Sequence, residues 1–395
     1  MQFHGWLSAL AWCLSGALLE ARSRWTAEQA SAWHASQPWR VGANYLPSSC
    51  GNVFEMFDPA GFGSVLLAVE REASIARAVG MTTFRVFLHE ELYHAHGDAF
   101  LGQVDQLLGV LNRHGLLVML VLFDAVWRPD LEGAEPLPGV HNSAWVQCPT
   151  HTLLRAYAAD EDSARERLRR YVHSVVARFA SDRRVVCWDV YNEASMTASE
   201  HWILPRLAAA AGWAGAPAHW LLDEEKQGAA LRLLAEAFRW AREAGPEQPL
   251  TSGVWSFPEA PEGPGTEALL FRAALALSDV VSLHCYCEAE ELEVRLAELA
   301  SLGRPVLLTE FLARPLKSTL AGSLPLLQRA GAWGYVWGLL RGRSQTHPPW
   351  ASWQADATGD DGEWLHDLFH ENGTAYDEGE VKEIWWQTTG RKLWM

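Results

Sequence analysis

The sequence predicts a single (β/α)8 barrel with long loops on its C-terminal face, and three observations lead there. Short apolar strands alternate with amphipathic helical stretches along most of the 395 residues, the signature of a parallel sheet. Five helical stretches run into a glycine suited to a C-cap (Gly80, Gly115, Gly245, Gly303, Gly331) just before the next strand. Two of the strands end in glutamate, at Glu193 and Glu310. A carboxylate at the tip of a buried strand is costly unless the tip faces a cleft. In α/β barrels the C-terminal strand tips do face one.

The elements follow in order. Thr26-Ala27-Glu28-Gln29 is a capping box that starts a helix ended by Pro38. The first strand is Val41 to Leu46, closing on Asn44-Tyr45-Leu46-Pro47. Helices over 65–79 and 107–114 lead into strands over 82–88 and 116–123. The helix over 163–179 precedes the strand Val185-Val186-Cys187-Trp188-Asp189-Val190-Tyr191-Asn192-Glu193. Strands over 250–255, 278–286, 306–310 and 333–339 bring the number to eight. Asp377 to Met395 reads as a last amphipathic helix that closes the outer layer.

Residues 1–24 stand apart as an apolar segment. Trp6 to Leu19 has signal-peptide length, and Leu19-Glu20-Ala21 could precede a cleavage site, yet no Lys or Arg leads it. It reads equally as a leader, giving a secreted or periplasmic protein, or as a packed helix of a cytoplasmic one. Residues 25–395 form one domain. No other segment is long and apolar enough to span a bilayer.

Composition narrows the partners. A formal charge of −16 argues against nucleic acid and anionic membrane, both of which need clustered cations. The 21 tryptophans suit stacking on sugar faces as well as core packing. Seven of them (Trp127, Trp145, Trp202, Trp213, Trp220, Trp350, Trp353) fall on the long connections after strands three, four and eight. No G-x-G-x-x-G follows the first strand and no Walker-type loop appears, so no nucleotide cofactor is expected. The six cysteines form no CxxC pair. Cys285 and Cys287 share a predicted strand at spacing two, a poor arrangement for a local disulfide.

The strand tips supply the chemistry. Arg85, mid-strand in Phe84-Arg85-Val86-Phe87, requires a carboxylate partner, and Glu310 is the candidate. Asp124 ends strand three, Asn192 and Glu193 strand four, His284 and Tyr286 strand six, Glu310 strand seven and Trp337 strand eight. His89-Glu90-Glu91-Leu92-Tyr93-His94 places its second His one residue late for a zinc helix motif and is expected to be a loop. No metal is expected.

These residues resemble the clan A glycoside hydrolases, nearest to the family 5 cellulase and mannanase type and to a cellulase-like or xylanase-like bacterial branch. The resemblance runs from about Trp39 to Thr346. It rests on Trp188-Asp189-Val190-Tyr191-Asn192-Glu193, Thr309-Glu310-Phe311 and His284-Cys285-Tyr286, with Arg85, Trp337-Gly338-Leu339 and Val41-Gly42-Ala43-Asn44-Tyr45-Leu46-Pro47-Ser48. It implies a retaining hydrolase of a β-linked, typically β-1,4, oligo- or polysaccharide, with Glu193 as acid/base and Glu310 as nucleophile. Arg85 and Tyr286 would keep Glu310 ionised, Asn192 would bind the sugar 2-hydroxyl, and Trp337 would lie under the cleaved sugar. Many family members carry His where this chain has Asp124; His141 or His89 could fill that space. A transglycosylase and a non-catalytic sugar-binding barrel are the alternatives on the same scaffold.

Overall fold

The computed structural model describes residues 24–131, 134–197, 203–207, 220–221, 223–354 and 362–391. The expectations for residues 1–23 and for Trp202, Trp213 and Trp394 fall outside them. The strands are β1 (Val41–Asn44), β2 (Thr83–Phe87), β3 (Leu117–Asp124), β4 (Val185–Asn192) and β5 (Leu250–Thr251). β6 (Gly253–Val254), β7 (Val281–His284), β8 (Val306–Phe311) and β9 (Trp333–Trp337) follow. They form one parallel sheet in the order β5-β4-β3-β2-β1-β9-β8-β7-β6. Its two ends, β5 and β6, are halves of one staff separated only by Ser252, so the sheet closes into the (β/α)8 barrel. The predicted fifth strand is therefore interrupted, at the point where the Ser252 hydroxyl donates to the Tyr191 carbonyl (2.6 Å).

The strands form because their residues are apolar and buried on both faces, as the staves of a barrel must be. All eight residues of β4 and all six of β8 are buried. Thr26 and Gln29 make the capping box, and the helix Ala27–Ala35 packs under the barrel floor. There Ala30 joins Met119, Cys187, Leu307 and Trp333 in a small apolar layer. Asp279 ties this floor together, accepting from the Trp25 and Leu250 amides and from Arg242.

Register sets the height of the functional residues. Asn44 pairs with Arg85 on one side and Trp337 on the other; Asp124 pairs with Asn192, and His284 with Glu310. These seven residues stand on seven strands and gather toward the C-terminal side of the barrel.

Two local expectations are corrected. Glu90–His96 is a helix, capped by His89, whose Nδ1 accepts from the Glu91 amide (3.2 Å); the acidic first turn and this cap favour helix over loop. Cys285 and Cys287 are disulfide-bonded, with Cα atoms 5.2 Å apart. The pairing is feasible because β7 ends at His284, so the two residues lie on a bend and not on an extended strand. The C-terminal helix runs Glu378–Thr389 behind an Asp377 cap.

Candidate active site

Arg85 is fully buried at the centre of the strand tips. Its Nη1 donates to Glu310 Oε1 (2.9 Å) and Asn44 Oδ1 (2.6 Å). Its Nη2 donates to Asp189 Oδ2 (2.7 Å) and Asn192 Oδ1 (2.5 Å). One guanidinium thus serves two carboxylates and two carboxamides, using the planar fork that lysine lacks. Glu310 Oε2 accepts from the Tyr286 hydroxyl at 2.7 Å, so both of its oxygens are engaged.

Glu193 follows β4 with φ of 48°, a left-handed backbone unusual for a glutamate. Such a conformation costs about 1–3 kcal/mol and persists where the surroundings impose it. Here the Glu193 amide donates to the Gly253 carbonyl (3.0 Å) and turns the carboxylate back over the barrel mouth. His284 Nδ1 lies 2.6 Å from Glu193 Oε1 and 3.6 Å from Glu310 Oε2. A hydrogen on Nδ1 therefore faces both acids. Burial pushes His284 down to about 4, so the ring is neutral near pH 7.

Both glutamates sit above the ordinary carboxylate range, and burial is the main cause. Glu193 is pushed up to about 8, by burial and then by the nearby Asp124 charge, with Arg85 and Lys226 opposing. Glu310 is pushed up to about 7, by burial, with His284 and Arg85 opposing and Glu193 adding to the rise. Burial thus raises the proton affinity of both acids. Arg85 does not bring Glu310 into the ordinary carboxylate range, and its charge is shared with Asp189.

A cavity of about 420 Å³ opens above these groups, lined by Asn192, Glu193, His284, Tyr286, Glu310 and Trp337. Trp127, His141, Trp350 and His366 form part of its wall, where the loops after β3 and β9 meet. His141 donates its backbone N–H to Ser352 Oγ (2.9 Å), and the Asn142 amide donates to the Gln345 carbonyl (3.1 Å). Trp127 stacks on Trp353 with ring centroids 5.6 Å apart. Of the loop tryptophans described, Trp127 and Trp350 line this cavity, while Trp145, Trp220 and Trp353 are buried. His141 reaches the cavity; His89 is fully buried with Nε2 against the Gln147 carbonyl (2.9 Å).

Glu193, His284 and Glu310 each present a possible ligand atom, all within 4.8 Å of one another. Both oxygens of Glu310 are committed to Arg85 and Tyr286, which leaves this set poorly suited to hold a cation.

The sequence reading did not single out Asp189, Asn44 as a side-chain partner, Lys226 or His366. Asp189 carried a signal, a charge inside an otherwise apolar strand, like Arg85. Lys226 carried none: it is fully buried, with Nζ 2.8 Å from the Ala125 carbonyl.

No protein family and no curated protein matches the chain by sequence. Solved structures do match. GH5_18 from Streptomyces cattleya, in complex with GlcNAc, aligns at 15% identity and TM-score 0.55, over 90% of this chain and 82% of that one. A β-1,4-D-mannanase from Cryptopygus antarcticus aligns at 14% identity and TM-score 0.54, over 91% and 94%. The likeness is one of fold. An exo-β-1,4-mannosidase from Opitutaceae bacterium strain TAV5 aligns at 19% identity and TM-score 0.53, over 88% of this chain but 59% of its own.

Proposed function

We propose that this chain hydrolyses β-linked glycosides with retention of anomeric configuration, as a clan A glycosidase of the family 5 type. One observation carries the reading: an oxygen of Glu193 and an oxygen of Glu310 lie within 4.8 Å of each other, with His284 Nδ1 2.6 Å and 3.6 Å from the two acids. Carboxyl groups about 5–5.5 Å apart suit direct attack on the sugar, whereas inverting pairs stand about 6.5–9.5 Å apart to admit a water.

Glu310, steadied by Arg85 and Tyr286, attacks the anomeric carbon as Glu193 gives its proton to the departing oxygen. The bond to the aglycone breaks and a glycosyl ester forms on Glu310. Glu193, now ionised, takes a proton from water, which attacks the same carbon and releases the sugar. The raised affinity of Glu193 for its proton serves the first half. His284, neutral and hydrogen-bonded to Glu193, fixes where that proton is delivered.

The fold neighbours named as mannanase and mannosidase make β-1,4-mannosides the first substrates to try. Nitrophenyl β-mannosides, β-glucosides and β-xylosides would be assayed for nitrophenol release, with NMR observation of the first sugar anomer. Release with the β-anomer first is expected. No release from any of them, or the α-anomer first, defeats the reading. A screen of polysaccharides by reducing ends then identifies the natural linkage.

A further inference from the structure

Asp124 lies beside the acid/base side of the site and touches neither glutamate in the contacts above. Its carboxylate is almost fully buried, with two side-chain donors aimed at it and the Val126 amide donating to Oδ1 at 3.3 Å. Trp145 Nε1 donates to Oδ2 at 2.6 Å, and Asn192 Nδ2 donates to Oδ1 at 2.8 Å. The other end of the Asn192 carboxamide, Oδ1, accepts from Arg85 Nη2.

We propose that Asp124 is a positioning residue that fixes the direction of the Asn192 carboxamide and so makes Asn192 a hydrogen-bond donor toward the sugar. This rests on the glycosidase reading above. An ionised carboxylate only accepts and a guanidinium only donates. Held between Asp124 and Arg85, the carboxamide has one orientation; turned over, it would set NH₂ against guanidinium and oxygen against carboxylate. Of its two amide hydrogens, one goes to Asp124, and the second is left for the cavity that Asn192 lines. A hydroxyl of bound sugar would then be read through its oxygen lone pair. Trp145, whose indole packs edge-on against Trp337 with centroids 5.6 Å apart, holds Asp124 in place from the far side.

The site also explains why the residue must be an acid. Asparagine at 124 has the same shape but only one acceptor oxygen, and donors face both ends of the group: Trp145 on one side, Asn192 and the Val126 amide on the other. Satisfying Trp145 presents its NH₂ to the Asn192 NH₂, and satisfying Asn192 strands the Trp145 N–H. Leaving one buried donor unmet corresponds to roughly 5- to 150-fold in an equilibrium.

The test compares wild type and Asp124→Asn on an aryl glycoside and its 2-deoxy counterpart. The intrinsic reactivity difference of the two sugars cancels in the ratio of their kcat/KM ratios. The wild-type preference for the 2-hydroxyl should fall roughly 10-fold in Asp124→Asn. In Asp124→Asn/Trp145→Phe it should return in part, because the single acceptor is then free to face Asn192. An unchanged preference in Asp124→Asn, with the fold intact by circular dichroism, overturns the proposal. Should Asp124→Asn not fold, Asp124→Glu serves: the longer acid displaces the carboxamide, and an unchanged preference there overturns it equally. A readout free of turnover separates this from failure of the glycosidase reading. The side-chain amide resonances of Asn192, assigned by their loss in Asn192→Asp, should shift strongly in Asp124→Asn whatever the substrate. Resonances that do not move sink the proposal alone.

Discussion

Asp189 and Glu310 lean on the same guanidinium: Arg85 Nη2 stands 2.7 Å from Asp189 and Nη1 2.9 Å from Glu310. All three side chains are essentially buried, at 0%, 0% and 6% exposure. Three buried charges summing to −1 leave Glu310 in competition for one cation, which accords with its raised affinity for a proton.

Two substitutions should therefore move Glu310 in opposite directions. Arg85→Ala removes the cation, so Glu310 is protonated more readily and the acidic limb of the kcat/KM profile moves to higher pH. It should also cost about 3–5 kcal/mol of stability, because two carboxylates are left buried without a counter-charge. Asp189→Asn removes the competitor, and the acidic limb should move to lower pH. The profiles of the three proteins decide it; limbs that coincide would mean that Arg85 serves packing alone.

In the proposed mechanism the two acids together set the shape of the wild-type profile. Attack needs Glu310 ionised and protonation needs Glu193 protonated, with values of about 7 and about 8. Activity should rise through the first and fall through the second, giving a narrow maximum at neutral to slightly alkaline pH. The two limbs belong to the pair as a coupled system. Glu193→Gln should abolish the basic limb and lose roughly 10²–10⁴-fold on glycosides with poor leaving groups. Dinitrophenyl glycosides, which leave without a proton, should keep their first step. Equal losses on both would remove Glu193 from the acid role.

Stability should show the same group with its own sign. Glu193 binds its proton more tightly folded than unfolded, since burial lifts it from an ordinary value of 4.5 to about 8. Its contribution is most favourable below the unfolded value and is lost as pH rises through that window to the folded value. Glu193→Gln removes this dependence. The Tm difference between variant and wild type should therefore grow in favour of the variant from pH 5 to pH 9. Parallel melting curves across that range would contradict the burial of an ionisable Glu193.

Much of this was legible in the chain. Strand and helix periods gave all eight staves, and the polar interruptions at their ends gave the tips. Arg85 advertised a buried partner because a guanidinium inside an apolar strand cannot stand alone. What stayed hidden depends on register and on loops meeting in space. That Asp189 shares Arg85, or that Asp124 faces both Trp145 and Asn192, follows from the pairing Asp124↔Asn192 and from a loop returning over β3. Neither is a property of local pattern. The Cys285–Cys287 bridge was hidden for a related reason: the point where β7 ends decides whether a Cys-x-Cys stretch is extended.

Gly253 offers a test of how closely the site is fitted. It opens β6 and has no side chain, and the His284 ring lies in the space a methyl group would take. A Cβ built there would stand 2.6 Å from His284 Nε2 and 3.1 Å from Cε1, with Asn192 Oδ1 at 3.4 Å. No left-handed backbone is involved, so alanine carries no dihedral penalty; the effect is purely steric. His284 cannot yield freely, since its Nδ1 is held against Glu193 and it is fully enclosed. Gly253→Ala should therefore push the imidazole toward the two glutamates and cost about 1–3 kcal/mol through overpacking. Its catalytic signature should be a lower kcat, with the basic limb displaced as the His284–Glu193 contact is deformed. Gly253→Ala/His284→Ala, which vacates the space, should recover the lost stability without recovering activity. If Gly253→Ala alone matches wild type in Tm and in pH profile, His284 is looser than the 2.6 Å approach implies, and its role in directing the Glu193 proton fails with it.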